Sequence, residues 1–228
     1  MKRTKLDDRK LPTYTRGEDV FNMTSHIIGA IFGIIVFLLC LIKSIPTKDS
    51  FTIMAAIIYG ISFIELYVMS SIYHGLKTTN NKLIRKKKIM QIVDHCSIYI
   101  LIAGSYTPYA LISFREYDLV YGWALFAFVW GIALIGIILD SIDLRKFRVI
   151  SKVFYFTMGW IIIFRINILP MLITWPGTIL LLLGGITYTI GSIFFAIGMK
   201  KKWFHSIFHI FILISSILQF LSIYLYVL

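Results

Sequence analysis

Charge, cysteine and acidic side chains are all scarce in this chain. Only 15% of its 228 residues are charged, two are cysteine, and 11 acidic residues face 23 basic ones. A soluble domain of this size carries more charge, and 58% hydrophobic residues would leave one with more apolar surface than it could bury. Cys40 and Cys96 fall in separate apolar runs, which excludes both a disulfide framework and a CxxC redox motif and leaves two packed thiols. No cleavable leader is expected. The first apolar run follows about twenty polar residues and ends at Lys43 without a small-x-small site. No internal repeat or low-complexity tract is present.

What the chain has instead is long uncharged runs. They occur at 24–42, 51–74, 90–113, 119–139, 149–169, 178–199 and 203–227. A helix needs about 20 apolar residues to cross the hydrocarbon, and the runs lack the alternation of barrel strands. The reading is an all-α membrane protein, a seven-transmembrane helix bundle (24–228) behind a basic N-terminal segment (1–23). The fifth run is the least regular, because Arg165, Asn167 and Pro170 blur its end. Pro108 is expected to kink the third near Gly104. Gly184, Gly185, Gly191, Ser192 and Gly198 are expected to let the sixth approach a neighbour closely. Trp123, Trp130, Trp175 and Trp203 read as headgroup anchors, with Trp130 deeper.

The net charge of +12 could suggest nucleic acid, but the basic residues sit in short clusters between the apolar runs. The tail (Lys2, Arg3, Lys5, Arg9, Lys10, Arg16), the second connection (Lys77, Lys82, Arg85 to Lys88), the fourth (Arg145, Lys146, Arg148, Lys152) and the sixth (Lys200 to Lys202) share one side. Nineteen basic residues lie there, and only Lys43, Lys48, Arg115 and Arg165 lie on the other. Positive charge stays inside, so the N-terminus is expected in the cytoplasm and the C-terminus outside, with no nucleic-acid partner.

That topology brings five distant histidines to one depth: His26, His74, His95, His205 and His209, up to 183 positions apart. An unpartnered imidazole among lipid tails is costly, so their convergence points to a metal site at the cytoplasmic face. His205 and His209 are spaced i, i+4 and share a helix face about 6 Å apart. Ser70 and His74 repeat that spacing. Three histidines with an open position form the pattern of catalytic zinc, and imidazole suits zinc. Asp94 at the same depth could hold the water as general base or pair with a loop lysine. Ser70 could polarise an oxyanion or bond back to its own helix. His95 points about 100° from Asp94, which favours a supporting role. His26 is expected to brace the end of the first helix, and Glu65 has no role beyond an interhelical hydrogen bond.

These residues carry a resemblance to the hemolysin III proteins, within the progestin and adipoQ receptor superfamily. Glu18, Asn22, Ser25, His26 and Gly29 match its first-helix pattern. Ser70 to His74 resembles its S-x3-H motif, and His205 with His209 its H-x3-H. Asp94 and His95 with Gly104 to Pro108 look like its third-helix signature. The resemblance implies zinc near the cytoplasmic surface, held by His74, His205 and His209, with Asp94 reaching it through water and Ser70 nearby. It also implies a link to ceramidase-like chemistry. The expected function is therefore an integral cell-membrane zinc hydrolase that cleaves a lipid amide or ester, with membrane lipid as substrate. The competing expectation is a non-enzymatic protein: a pore-forming haemolysin, or a receptor-like protein with structural zinc.

Overall fold

The computed structural model describes residues 4–198 and 201–228, so Lys2, Arg3 and Lys200 of the basic clusters lie outside the described residues. No strand occurs among those described. Seven rods follow one another: α1 (Arg16–Ser44), α2 (Ser50–Gly75), α3 (Asn81–Pro108), α4 (Leu119–Asp143), α5 (Arg148–Trp160), α6 (Leu169–Gly198) and α7 (Phe204–Tyr226). All but α5 are long and apolar enough to cross a membrane, and the chain is an integral membrane protein.

The first four rods start where a side chain can accept an orphan N–H. Thr15 Oγ1 takes the Glu18 N–H at 3.3 Å, and Glu18 returns a carboxylate oxygen to the Thr15 N–H at 2.8 Å. Asp49 and Asn80 cap α2 and α3 through the N–H groups of Thr52 and Leu83, each at 2.9 Å. Asp118 caps α4 through Val120 and Tyr121.

Two expected spans take irregular forms. The fifth is a composite, 13 residues of α5 followed by a 3-10 stretch over Ile161–Arg165. At about 1.5 and 2.0 Å per residue the two together measure about 30 Å along the chain, but no single α-helix of membrane length forms there. The run Ile161-Ile162-Ile163 is β-branched throughout and favours leaving the α-helix there. In α6, Ile173 and Thr174 depart from helical angles just ahead of Trp175-Pro176, and Thr174 takes φ 60°. The regular part of α6 therefore begins close to the expected residue 178.

Pro108 does not end the third span. The chain passes directly into a π-helical segment, Tyr109–Phe114. Proline removes one N–H and crowds the carbonyl four residues back, and a wider turn relieves both. The apolar window of this span is 89% buried against 17–50% for the others, which makes α3 the central rod. Around it α1 packs on α2, α2 on α3, and α6 on α7, while α7 also meets α1. Hydroxyl pairs set the height of α7: Tyr67 Oη donates to Ser216 Oγ at 2.9 Å and Tyr109 Oη to Ser222 Oγ at 2.8 Å. Both cysteines are free and buried. Trp130 lies inside, donating to Thr107 Oγ1 at 3.1 Å, while Trp123, Trp175 and Trp203 are exposed.

Close approach governs the glycines. A Cβ on Gly198 would sit 2.7 Å from the His205 backbone nitrogen, and one on Gly29 would sit 2.3 Å from the Tyr67 ring. Tyr67 is fully buried and cannot swing away. Gly29→Ala should therefore destabilise the bundle by about 1–3 kcal/mol, read as a lower unfolding midpoint in detergent.

Candidate metal centre

The last turn of α2 and the first turns of α7 meet at the end of the bundle that carries the N-terminus. His74 comes from the former, His205 and His209 from the latter, and all three are buried. Their Nε2 atoms converge: 3.4 Å between His74 and His205, and 3.1 Å between His205 and His209. One ligand nitrogen from each lies within 4.8 Å of the other two, the only such group among the described residues.

The protonation arithmetic favours a cation at this point. His74 Nδ1 lies 3.1 Å from Asp19 Oδ1, so that nitrogen carries the proton and donates it, leaving Nε2 as a lone pair. His205 Nε2 then faces two ring nitrogens. Its single in-plane valence cannot lie along both lines, so at most one of the two contacts is an ordinary hydrogen bond, whereas a metal cation could take a lone pair from each ring. Around a zinc with Zn–N bonds of about 2.05 Å, tetrahedral geometry spaces ligand nitrogens about 3.3 Å apart. The observed spacings bracket that value. Three buried histidines thus lie close enough to bind a metal ion, in a geometry compatible with zinc.

Each ligand is held by a neighbour. Asp19, on α1, orients His74 and is itself gripped by Lys87 Nζ at 3.2 Å. Glu18 accepts the Trp203 N–H at 2.6 Å, which ties the start of α7 to the start of α1 and sets the height of His205. His26 lies deeper than a brace at the end of α1. It is buried and stacked on His209, with ring centroids 3.8 Å apart and 26° between planes. Neither His26 nitrogen has a hydrogen-bond partner, and it lies outside the converging set.

Asp94 and Ser70 stand beside this group. The Asp94 carboxylate lies next to the Ser70 hydroxyl and within electrostatic reach of His74, 3.6 Å from His95 Nδ1. It is not part of the converging set. His95 Nδ1 also meets the Gln91 carbonyl at 2.9 Å, which satisfies the ring locally. Glu65 does not make the expected interhelical bond through Oε2, which is buried without a partner.

Two contributors were not anticipated from sequence. Asp19 escapes because its partner lies 55 residues away; an acid in the first turn of α1, at the depth of His74, is the available signal. The other is Tyr14, whose ring stacks on His205 at 4.9 Å and 24° and stands 5.5 Å from His74. Burial, with Asp94, Asp19 and Glu18 nearby, pushes its phenol well above the ordinary value, so it remains a neutral O–H.

The comparisons with known proteins agree with this architecture. The family model described as Haemolysin-III related matches residues 14–220. The chain is 36% identical to Hemolysin-3 of Bacillus cereus over 211 residues, 92% of each chain. It is 33% identical to the Hemolysin-3 homolog of Bacillus subtilis (strain 168) over 213 residues, 93% of this chain and 96% of that one. A more distant relative is the human Monocyte to macrophage differentiation factor, 25% identical over 183 residues, 79% of this chain and 73% of that one. A match over nearly the whole chain, covering every residue of the histidine centre, shows that this protein belongs to the Haemolysin-III related family.

Proposed function

We propose that the chain is a zinc-dependent hydrolase of the cell membrane that cleaves a lipid amide of ceramide type, or a lipid ester, at the cytoplasmic face. The observation that carries this reading is the convergence of three imidazole nitrogens beside a carboxylate and a hydroxyl at one end of a membrane bundle. A closed structural site normally has four protein ligands, whereas the converging set here has three. When bound, zinc supplies a Lewis acid with an open position and brings the pKa of a water there toward 7.

The chain's own groups do the rest. Asp94 takes the proton of the water that adds to the carbonyl carbon and returns it to the leaving nitrogen or oxygen as the amide C–N or ester C–O bond breaks. Ser70 donates to the developing oxyanion. Asp19 keeps His74 in the tautomer that presents Nε2 to the ion. A narrow, largely apolar cleft between α3, α5, α6 and α7, lined by residues that include Leu101, Ile102, Tyr106, Ile212, Ser216 and Gln219, is where an acyl chain would enter. Ile212 and Ser216 lie about one and two turns along α7 from His209, although none of the three histidines lines the cleft itself. The surplus of basic residues at the histidine end supports placing that end in the cytoplasm.

Purified protein should carry about one zinc per chain, and His74→Ala should remove it. Asp19→Asn should weaken zinc binding by about 10–100-fold in competition with a chelating dye, with the fold intact. Asp94→Asn should keep the zinc and lower kcat on a susceptible lipid by about 10²–10⁴-fold. Zinc-loaded protein that cleaves nothing in a panel of ceramides and acyl esters would sink the hydrolase reading. Red-cell lysis that persists in the zinc-free His74→Ala protein would support the non-enzymatic alternative instead.

A further inference from the structure

The segment ahead of α1 does not extend away from the bundle. Residues 4–15 cross its histidine end in contact with four rods. At one end the Thr4 N–H donates to Asp143 Oδ2 on α4 at 2.6 Å. Arg9 follows, 92% buried because only 8% of it remains exposed, and its Nη2 donates to the Ile142 carbonyl at 3.3 Å. In between, the Asp7 carbonyl accepts Lys88 Nζ of α3 at 2.6 Å. At the other end Tyr14 lies against His205 and His74, and Thr15 caps α1.

The segment is therefore pinned at both ends with an aromatic ring over the centre. Tyr14 stacks on one of the three converging histidines and lies tilted against a second. The remote anchor is incomplete. Arg9 Nε and Nη1 are buried without hydrogen-bond partners, and a guanidinium released into water would satisfy both. Docking thus gives Tyr14 its stack and sets Arg9 within electrostatic reach of Asp140, while two guanidinium nitrogens stay without hydrogen-bond partners.

We propose that residues 4–15 form a lid on the histidine centre, with Tyr14 as its plug and Arg9 as its latch, and that release of this lid controls exchange between the centre and the adjoining aqueous phase. The proposal takes the tri-histidine centre as the functional site and does not depend on which reaction occurs there. Water-soluble species reach it only when Tyr14 lifts.

The test uses full-length protein in detergent, stripped of metal so that neither zinc affinity nor activity enters the readout. Diethyl pyrocarbonate acylates neutral imidazole, and peptide mass spectrometry gives the rate at His205. Tyr14→Ala and Arg9→Ala should each raise that rate about tenfold, the factor that about 1.4 kcal/mol commands. Tyr14→Phe keeps the stack and should label at the unmodified rate. Arg9 touches none of the histidines, so a faster rate in Arg9→Ala reports the lid moving as a unit. Labelling at the same rate in all four proteins overturns the proposal. So does acceleration in Tyr14→Ala alone, which would make the tyrosine a local shield with no latch. A protein that labels as expected yet carries no zinc as purified, before stripping, would count against the hydrolase reading and leave the lid standing.

Discussion

Three imidazole nitrogens brought to a point set the terms for the whole bundle. Buried polar groups must be matched, and here His205 Nε2 cannot make an ordinary hydrogen bond along both lines at spacings of 3.1 and 3.4 Å. A cation would match all three rings. The contacts nearby hold the rings where they are. Asp19 fixes His74 from α1, and Glu18 holds the backbone where α7 begins. Farther along, the Tyr67–Ser216 and Tyr109–Ser222 hydroxyl pairs hold α7 at one height against α2 and the third span.

The first turn of α1 consequently has two duties. Glu18 completes its own capping box and also receives the Trp203 N–H, so helix initiation and docking of α7 share one carboxylate. Asp19, one residue on, turns the other way toward His74 and Lys87. Two adjacent acids in a chain poor in acids thus join the start of the bundle to its last rod, through Glu18, and to its second and third, through Asp19. A neutral replacement at either position would act on more than one helix.

Much of this was legible in sequence. Hydropathy alone located the apolar spans, and the i, i+4 spacing of His205 and His209 placed both on one face whatever the tertiary packing. The shared depth of His74 and the α7 pair followed from counting residues between span ends. Irregular segments were harder. A proline at 108 signals disturbance, but whether the chain kinks or widens into a π turn depends on neighbours that a sequence does not order. The fifth span looked marginal for the right reasons, yet its 3-10 continuation depends on local crowding. Asp19 and Tyr14 were out of reach for another reason. Their partners lie 55 and 191 positions away, and neither belongs to a periodic pattern.

The ligand set also orders events during synthesis. His74 leaves the ribosome with the second rod, while His205 and His209 follow about 130 residues later, which at roughly 5–20 residues per second is a delay of many seconds. Through that interval the early half of the bundle holds His74 without its two α7 neighbours and Glu18 without the Trp203 N–H. Arrival of the final rod closes the bundle and brings the three histidines together. The candidate metal site therefore exists only in a chain whose last helix has been placed.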